Sequence, residues 1–249
     1  MAIQIKSASE LELMRTAGRI VGECLLELGR RVKPGVTTGE LDRFAEDFFV
    51  KRGCRPAFKG YHGYPATICA SINEQVVHGI PGPRVLEEGD IIGIDVGAFY
   101  EGYCGDSART FPVGKVQAET QRLLDVTSRA LDLGLAQAVA GHRLSDIGHA
   151  VEAYVLAQGF SVVKDFVGHG IGRAMHEDPQ IPNYGKPHQG PRLEVGMRLV
   201  IEPMVNAGRE AVRVLPDGWT VLTKDGSFSA HFEDTVAITP EGPANLTRV

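Results

Sequence analysis

Apolar and polar positions sort this chain into helix-like stretches, opened by capping residues and closed by glycine, and short apolar runs that read as buried strands. A first helix is expected from about Glu10, with Ser9 as N-cap and Glu12 completing a capping box, and it stops at Lys33-Pro34-Gly35. A second is capped by Thr37 with Glu40 and ends at Gly53. The plan then returns, with a helix through Leu123–Leu133, a stop at Gly141, a helix capped by Ser145 and an end at Gly159. Gly35 and Gly53 pair with Gly141 and Gly159 at an offset of 106 residues. Leu86-Glu-Glu-Gly-Asp-Ile-Ile-Gly-Ile-Asp95 lines up with Leu193-Glu-Val-Gly-Met-Arg-Leu-Val-Ile-Glu202 at an offset of 107. The near-constant offset predicts a duplicated α+β half. Residues 1–249 then form one domain with approximate halves 1–115 and 116–249, sheeted together around a pseudo-twofold axis. Asp95 and Glu202 come to equivalent points near its centre.

Asp90-Ile-Ile-Gly-Ile-Asp95 reads as a buried strand, and Gly97 to Gly102 is a natural place for the chain to turn back. A symmetric hairpin centred between Tyr100 and Glu101 places Asp95 directly opposite Asp106 on one face. Like charges there repel, and burying them unpaired costs several kcal/mol or forces a proton onto one of them. A divalent cation removes the conflict.

Composition changes little in this picture. The chain is 43% hydrophobic and 23% charged, the balance of an ordinary globular protein. A net charge of −5 gives no general attraction to nucleic acid or to an anionic membrane. Apolar stretches are broken within about ten residues, so no transmembrane span fits, and the start lacks the apolar core of a signal peptide. Cys24, Cys54, Cys69 and Cys104 form no CxxC pair and read as reduced thiols, which makes the cytoplasm the default location.

Two further candidates lie in the second half. Val167-Gly-His169-Gly-Ile-Gly172 sets a histidine among glycines, which allow close backbone approach. Glu233 lies in a run, Ala230 to Thr239, whose end is strand-like. Asp95, Asp106, His169, Glu202 and Glu233 offer four carboxylates and one imidazole, too many negative ligands for one ion. Oxygen-rich sites suit Mn, Fe, Co or Mg better than structural zinc. Two divalent ions, roughly 3.5–4 Å apart, balance the charge, and a water shared between them becomes a nucleophile at neutral pH. The constellation points to metal-assisted hydrolysis.

These residues carry a resemblance. From about Ile3 to Thr239 the chain resembles the type I methionine aminopeptidases of the short bacterial form, which have the pita-bread fold and belong to the M24-type metallopeptidases. The resemblance rests on Ser71-Ile-Asn-Glu-Gln-Val-Val-His78-Gly-Ile-Pro81, Ile94-Asp95-Val-Gly97, Gly105-Asp106-Ser-Ala-Arg-Thr110, Gly168-His169-Gly-Ile-Gly172, His176-Glu-Asp-Pro179 and Ile201-Glu202-Pro-Met204. His169 and Glu202 are 33 residues apart, without the long insertion of type II enzymes, and no N-terminal zinc-binding extension is expected. The resemblance implies a dinuclear centre of Co, Mn or Fe, with Zn or Ni also accommodated. Asp95 would hold one ion with both oxygens and offer it to the substrate's α-amine. Asp106 and Glu233 would bridge the ions, and His169 and Glu202 would complete the other, with Glu202 also the general base. His176 would meet the scissile carbonyl oxygen and His78 the scissile nitrogen. Tyr61, Tyr64, Cys69 and Trp219 would line the methionine pocket.

The implied substrates are nascent polypeptides and peptides with an N-terminal Met and a small second residue. The implied enzyme is a monomer with transient ribosome association and no nucleic-acid substrate or membrane partner. The Met1-Ala2 start fits the small-residue rule, so protein made in cells is expected to begin at Ala2.

Departures from the family pattern are local. Phe58 stands where many relatives carry a smaller residue such as Cys, and Met175 where many carry Phe. His231 and Asp234 replace the usual Gln and His around Glu233. Asp234 is reminiscent of proline-specific aminopeptidases and dipeptidases of the same fold, yet those carry a large N-terminal domain for which this length leaves no room. The remaining alternative, an inactive peptide-binding module, is opposed by the retention of all five acids and histidines together with His78 and His176.

Overall fold

The computed structural model describes residues 3–249; Met1 and Ala2, and with them the expected processing site, lie outside the described residues. Helix α1 (Ala8–Gly29) opens on Ser7, whose Oγ accepts the Glu10 N–H at 3.3 Å while Glu10 Oε2 accepts the Ser7 N–H at 2.8 Å. The cap is therefore Ser7 with Glu10, not the expected Ser9 with Glu12. Tyr103 decides between the two boxes by donating its hydroxyl to Glu10 Oε1 at 2.6 Å, which ties the helix start to the sheet. Helix α2 (Thr38–Lys51) has the predicted Thr37–Glu40 box and ends just before Gly53, at φ +68°. Helix α3 spans Ala118–Leu135 and α4 spans Leu144–Ala157. Here too the expected cap shifts. Arg143 N–H donates to Asp146 Oδ2 at 2.8 Å, and Ser145 Oγ instead accepts the N–H of Gln189 at 2.7 Å.

The strands that position the site are β1 (Ile68–Ile72), β2 (Ile91–Tyr100), β3 (Tyr103–Pro112), β4 (Gly168–Gly170), β5 (Glu177–Ile181), β6 (Arg198–Ile201), β7 (Ser229–His231) and β8 (Glu233–Thr239). All but β7 share one antiparallel sheet in the order β1-β2-β3-β8-β6-β4-β5. The β3/β8 pair stands at its middle, flanked by β2 on one side and β6 on the other. With the helices laid over it, this is the pita-bread arrangement of α+β type that the resemblance implies. One apolar cluster joins α1 and α2 to β1 and β2, and another joins α3 and α4 to β6 and β8.

Register separates the two faces of this sheet. Asp95 pairs with Ala108, Ala108 with Glu233, and Asp234 with Ile201. Extending the last ladder by one residue sets Glu202 opposite Glu233. His169 pairs with Val200, two residues before Glu202. Side chains alternate along a strand, so Asp95, Asp106, Glu233, Glu202 and His169 share one face. The helices cover the other. There α1 approaches so closely that a Cβ on Gly105 would stand 2.8 Å from the backbone N of Gly18.

The β2/β3 hairpin corrects one expectation. Tyr100 pairs with Tyr103 around a two-residue Glu101-Gly102 turn, with φ of +46° and +82°. This type I′ geometry needs positive φ at both turn residues, and glycine at the second position fixes the register. Asp106 therefore pairs with Gly97 instead of Asp95, and the two aspartates are diagonal neighbours on one face.

Among the described residues no helix is long and apolar enough to cross a membrane, and the four cysteines are buried and free.

Candidate metal centre and substrate cavity

Every residue singled out from the sequence for a metal, catalytic or substrate role lines one cavity of about 170 Å³. The acids form its floor. Asp106 and Glu233 are 4% and 3% exposed, and Asp95 Oδ1, Asp106 Oδ1 and Glu233 Oε1 have no hydrogen-bond partner. Burial pushes Asp95 up to about 7, against a lowering hydrogen bond with Asp106. Burial and then repulsion from neighbouring carboxylates hold Asp106, Glu202 and Glu233 well above the usual carboxylate range. Four acids crowded together away from bulk water, three of them with an unpartnered oxygen, are unstable as anions without a cation.

His169 is aimed at this cluster by its own backbone. Its Nδ1–H donates to Gly170 O at 2.9 Å, which leaves Nε2 facing Glu202 Oε1 at 3.7 Å and Asp106 Oδ2 at 3.9 Å. Burial lowers it to about 3, so the ring is neutral and its lone pair free to ligate. The glycines around it serve close approach, because a Cβ at Gly168 or Gly170 would meet Val200 O or Asp178 O at 2.2 Å. Oxygen donors with one neutral imidazole, buried or half-buried around one space, fit divalent ions. Among the described residues two groups have ligand atoms within 4.8 Å of one another: Asp95, His231 and Glu233, and Asp106, His169 and Glu233.

The walls are apolar. Phe58, Tyr64, Cys69 and Met175 are buried in one cluster with Trp219 packed against it. Tyr64 and Trp219 meet edge to face with centroids 5.1 Å apart. The hydroxyl of Tyr64 donates to Ile68 O and Gly79 O at 3.0 and 2.9 Å, locking the ring. Cys69 pairs with Asp95 across β1/β2, so its sulfur faces the same space. Phe58 occupies the room that Gly97 leaves open, since a Cβ there would stand 2.8 Å from its ring.

Two histidines stand above the acids. His176 is exposed at the mouth, its Nδ1 2.7 Å from Tyr61 Oη and its ring edge-on to His169 at 4.3 Å. Loss of water around the part of its ring that faces the cavity, and then the nearby His62, lower its pKa. His78 has φ +60°, an uncommon conformation for a residue with a Cβ, and its ring stands edge-on to Phe166 and Trp219 at 5.6 and 6.3 Å. Burial lowers it to about 4.

Sequence reasoning left several wall residues unassigned: Val77, Phe166, Val167 and Met204 also line the cavity. Apolar residues like these carry no signal separating a wall from a core. His231 also lines it, and its place two residues before Glu233 was the available signal. Asp234 points the other way. Fully buried on the helix-covered face, it takes Arg109 Nη2 at 2.6 Å, Arg248 Nε at 2.7 Å and Thr247 Oγ1 at 2.9 Å, so it pins the C-terminal strap and stays out of the cavity.

Comparison with known proteins agrees with this geometry. The model for metallopeptidase family M24 matches residues 12–240. The chain belongs to that family. It is 55% identical to methionine aminopeptidase 1 of Bacillus subtilis over 98% of both chains. The crystal structure of a methionine aminopeptidase from Thermotoga maritima superposes with a TM-score of 0.98 at 45% identity, covering all of both chains. A prolidase from Pyrococcus furiosus, 24% identical with a TM-score of 0.77 over 98% of this chain and 65% of its own, shares the fold alone. An M24 fold, a buried acid cluster and a narrow apolar cavity thus coincide in one chain.

Proposed function

We propose that this chain is a methionine aminopeptidase, a metal-dependent hydrolase that removes the N-terminal methionine from nascent proteins and peptides whose second residue is small. One observation carries the reading: the unpartnered acid cluster lies at the floor of a cavity walled by aromatic rings and sulfur. A thioether gains roughly 0.3–1.5 kcal/mol from each sulfur–aromatic contact, so Tyr64, Trp219, Phe58, Met175, Cys69 and Tyr61 suit a methionine side chain.

Asp95, Asp106, His169, Glu202 and Glu233 would hold two divalent ions, for which Co, Mn and Fe are the best candidates and Zn and Ni also fit. Such ions acidify a water and polarise the scissile carbonyl. Glu202, whose carboxyl group lines the cavity beside the other proposed ligands, would accept the water's proton. With Tyr61 donating to Nδ1, His176 carries its proton on Nε2 and presents it to the carbonyl oxygen, where negative charge develops. His78 stands over the scissile nitrogen and supports the leaving amine. Asp95 would present its ion to the substrate's free α-amine, which would restrict cleavage to the first residue. The whole chain acts as one catalytic domain, a cytoplasmic monomer that meets its substrates at or near the ribosome.

The direct test is hydrolysis of Met-Ala-Ser, Met-Lys-Ser, Leu-Ala-Ser and Ala-Pro-Ser by protein supplied separately with Mn, Fe, Co, Ni and Zn. Cleavage of Met-Ala-Ser far ahead of the other three is expected. Preference for Ala-Pro-Ser would transfer the chain to the proline-specific relatives, and silence with every ion would refute the peptidase reading.

A further inference from the structure

The acid cluster is faced by a second imidazole that the five proposed ligands leave out. His231, at the end of β7, is 4% exposed, and its Nε2 has no hydrogen-bond partner. That atom lies 3.4 Å from Glu233 Oε2 and 3.9 Å from Glu202 Oε2. Both gaps are longer than a hydrogen bond. They match the 3.7 and 3.9 Å that separate His169 Nε2 from its own carboxylates. Two donors bound to one ion at about 2.1 Å stand roughly 3.0 Å apart at a right angle and about 3.4 Å apart at the tetrahedral angle. His231 and Glu233 are thus spaced as co-ligands.

The backbone holds the ring there. Thr110 on β3 accepts the N–H of His231 through Oγ1 at 2.9 Å and donates the same hydroxyl to His231 O, also at 2.9 Å. The two groups of donors within 4.8 Å of one another share Glu233, and each contains one imidazole, His169 beside Asp106 and His231 beside Asp95. A buried imidazole nitrogen with no hydrogen-bond partner faces carboxylate oxygens at co-ligand spacing, and an oxygen of Glu233 and one of Asp95 are unpartnered beside it, an arrangement that one ion satisfies.

We propose that His231 is a sixth protein ligand, supplying the ion on the Asp95 side with a nitrogen donor, so that each ion of the centre has its own imidazole. This rests on the two-ion reading above. A nitrogen on the Asp95 side raises affinity for Fe, Co, Ni and Zn relative to Mn and Mg, because imidazole suits the later ions and oxygen sites the earlier ones. The two positions then differ less in metal preference than one all-oxygen and one imidazole-bearing site would.

The test uses ion-free full-length protein labelled in its histidines and titrated with Co(II), read by paramagnetic NMR and by ion stoichiometry. Two ions per chain and two sets of contact-shifted imidazole signals are expected in the unaltered protein. His231→Gln should remove one set and weaken one of the two binding steps by about tenfold or more, while His169→Gln removes the other set. Two bound ions with one imidazole set overturn the inference and leave the peptidase reading standing. Failure to bind any ion overturns both. The signal count in the unaltered protein decides the matter even if a substituted chain does not fold.

Discussion

At the mouth of the cavity Tyr61 Oη and His176 Nδ1 are 2.7 Å apart, a hydrogen bond whose direction sets which imidazole nitrogen carries the proton. If the phenol donates, Nε2–H is the only proton the ring can offer a substrate oxygen. Burial keeps the Tyr61 hydroxyl protonated by raising its pKa, so the donor persists across the neutral range. Tyr61→Phe should therefore lower kcat by about 2- to 10-fold, the weight of one neutral hydrogen bond, with metal content unchanged. An unaltered kcat would remove Tyr61 from the account. The acids and His169 stood out in the sequence, because such residues in apolar or glycine-rich runs are conspicuous, whereas Tyr61, His78 and His176 were marked only by the family resemblance. Residues whose meaning depends on direction were not legible. Asp234 and Glu233 are neighbours in sequence, yet strand alternation sends one into the ion-pair network with Arg109 and Arg248 and the other into the cavity.

At the scale of the elements, strand register does the assembling. The row Asp95, Ala108 and Glu233 crosses β2, β3 and β8 and reaches Glu202 just past the end of β6; Gly102 sets the hairpin register, and the β3/β8 and β8/β6 ladders set the rest. Sequence spacing predicted the hairpin and the shared face but placed the turn one residue early, since symmetry alone cannot see which residue takes positive φ. The helix caps failed in a related way. Ser7 and Ser9 both stand three residues before a glutamate, and only the distant hydroxyl of Tyr103 distinguishes them. Strand β4 carries a strict demand of its own. A Cβ at Gly170 would lie 2.2 Å from Asp178 O, a backbone atom that cannot swing away. Gly170→Ala should cost roughly 1–3 kcal/mol of stability, at about 2–4 °C of Tm per kcal/mol in a domain of this size. It should also weaken metal binding by displacing His169. A stable, fully metallated variant would show that the close approach is dispensable.

Across the whole molecule, two helix pairs cover one face of a sheet whose middle pair, β3 and β8, delivers Asp106 and Glu233, while the flanking β2 and the end of β6 deliver Asp95 and Glu202. The offsets of 106 and 107 residues foreshadowed the paired placement of Asp95 and Glu202. They could not foreshadow the cavity walls, which come from loops and strands outside the repeat, such as those bearing Tyr61, Phe166 and Trp219. The assembly places four carboxyl groups where burial favours the form that carries a proton, pushing Asp95 up to about 7 and the others above their usual range. Ions that bind there must displace those protons, so affinity rises with pH. The most direct measurement is a titration of divalent ions into ion-free protein near pH 7, following bound ions, released protons and methionine freed from Met-Ala-Ser together. The account predicts that ions enter up to two per chain, that protons leave as they enter, and that hydrolysis, absent at the start, appears in step. Hydrolysis by the ion-free protein, or binding with no proton release, would contradict it.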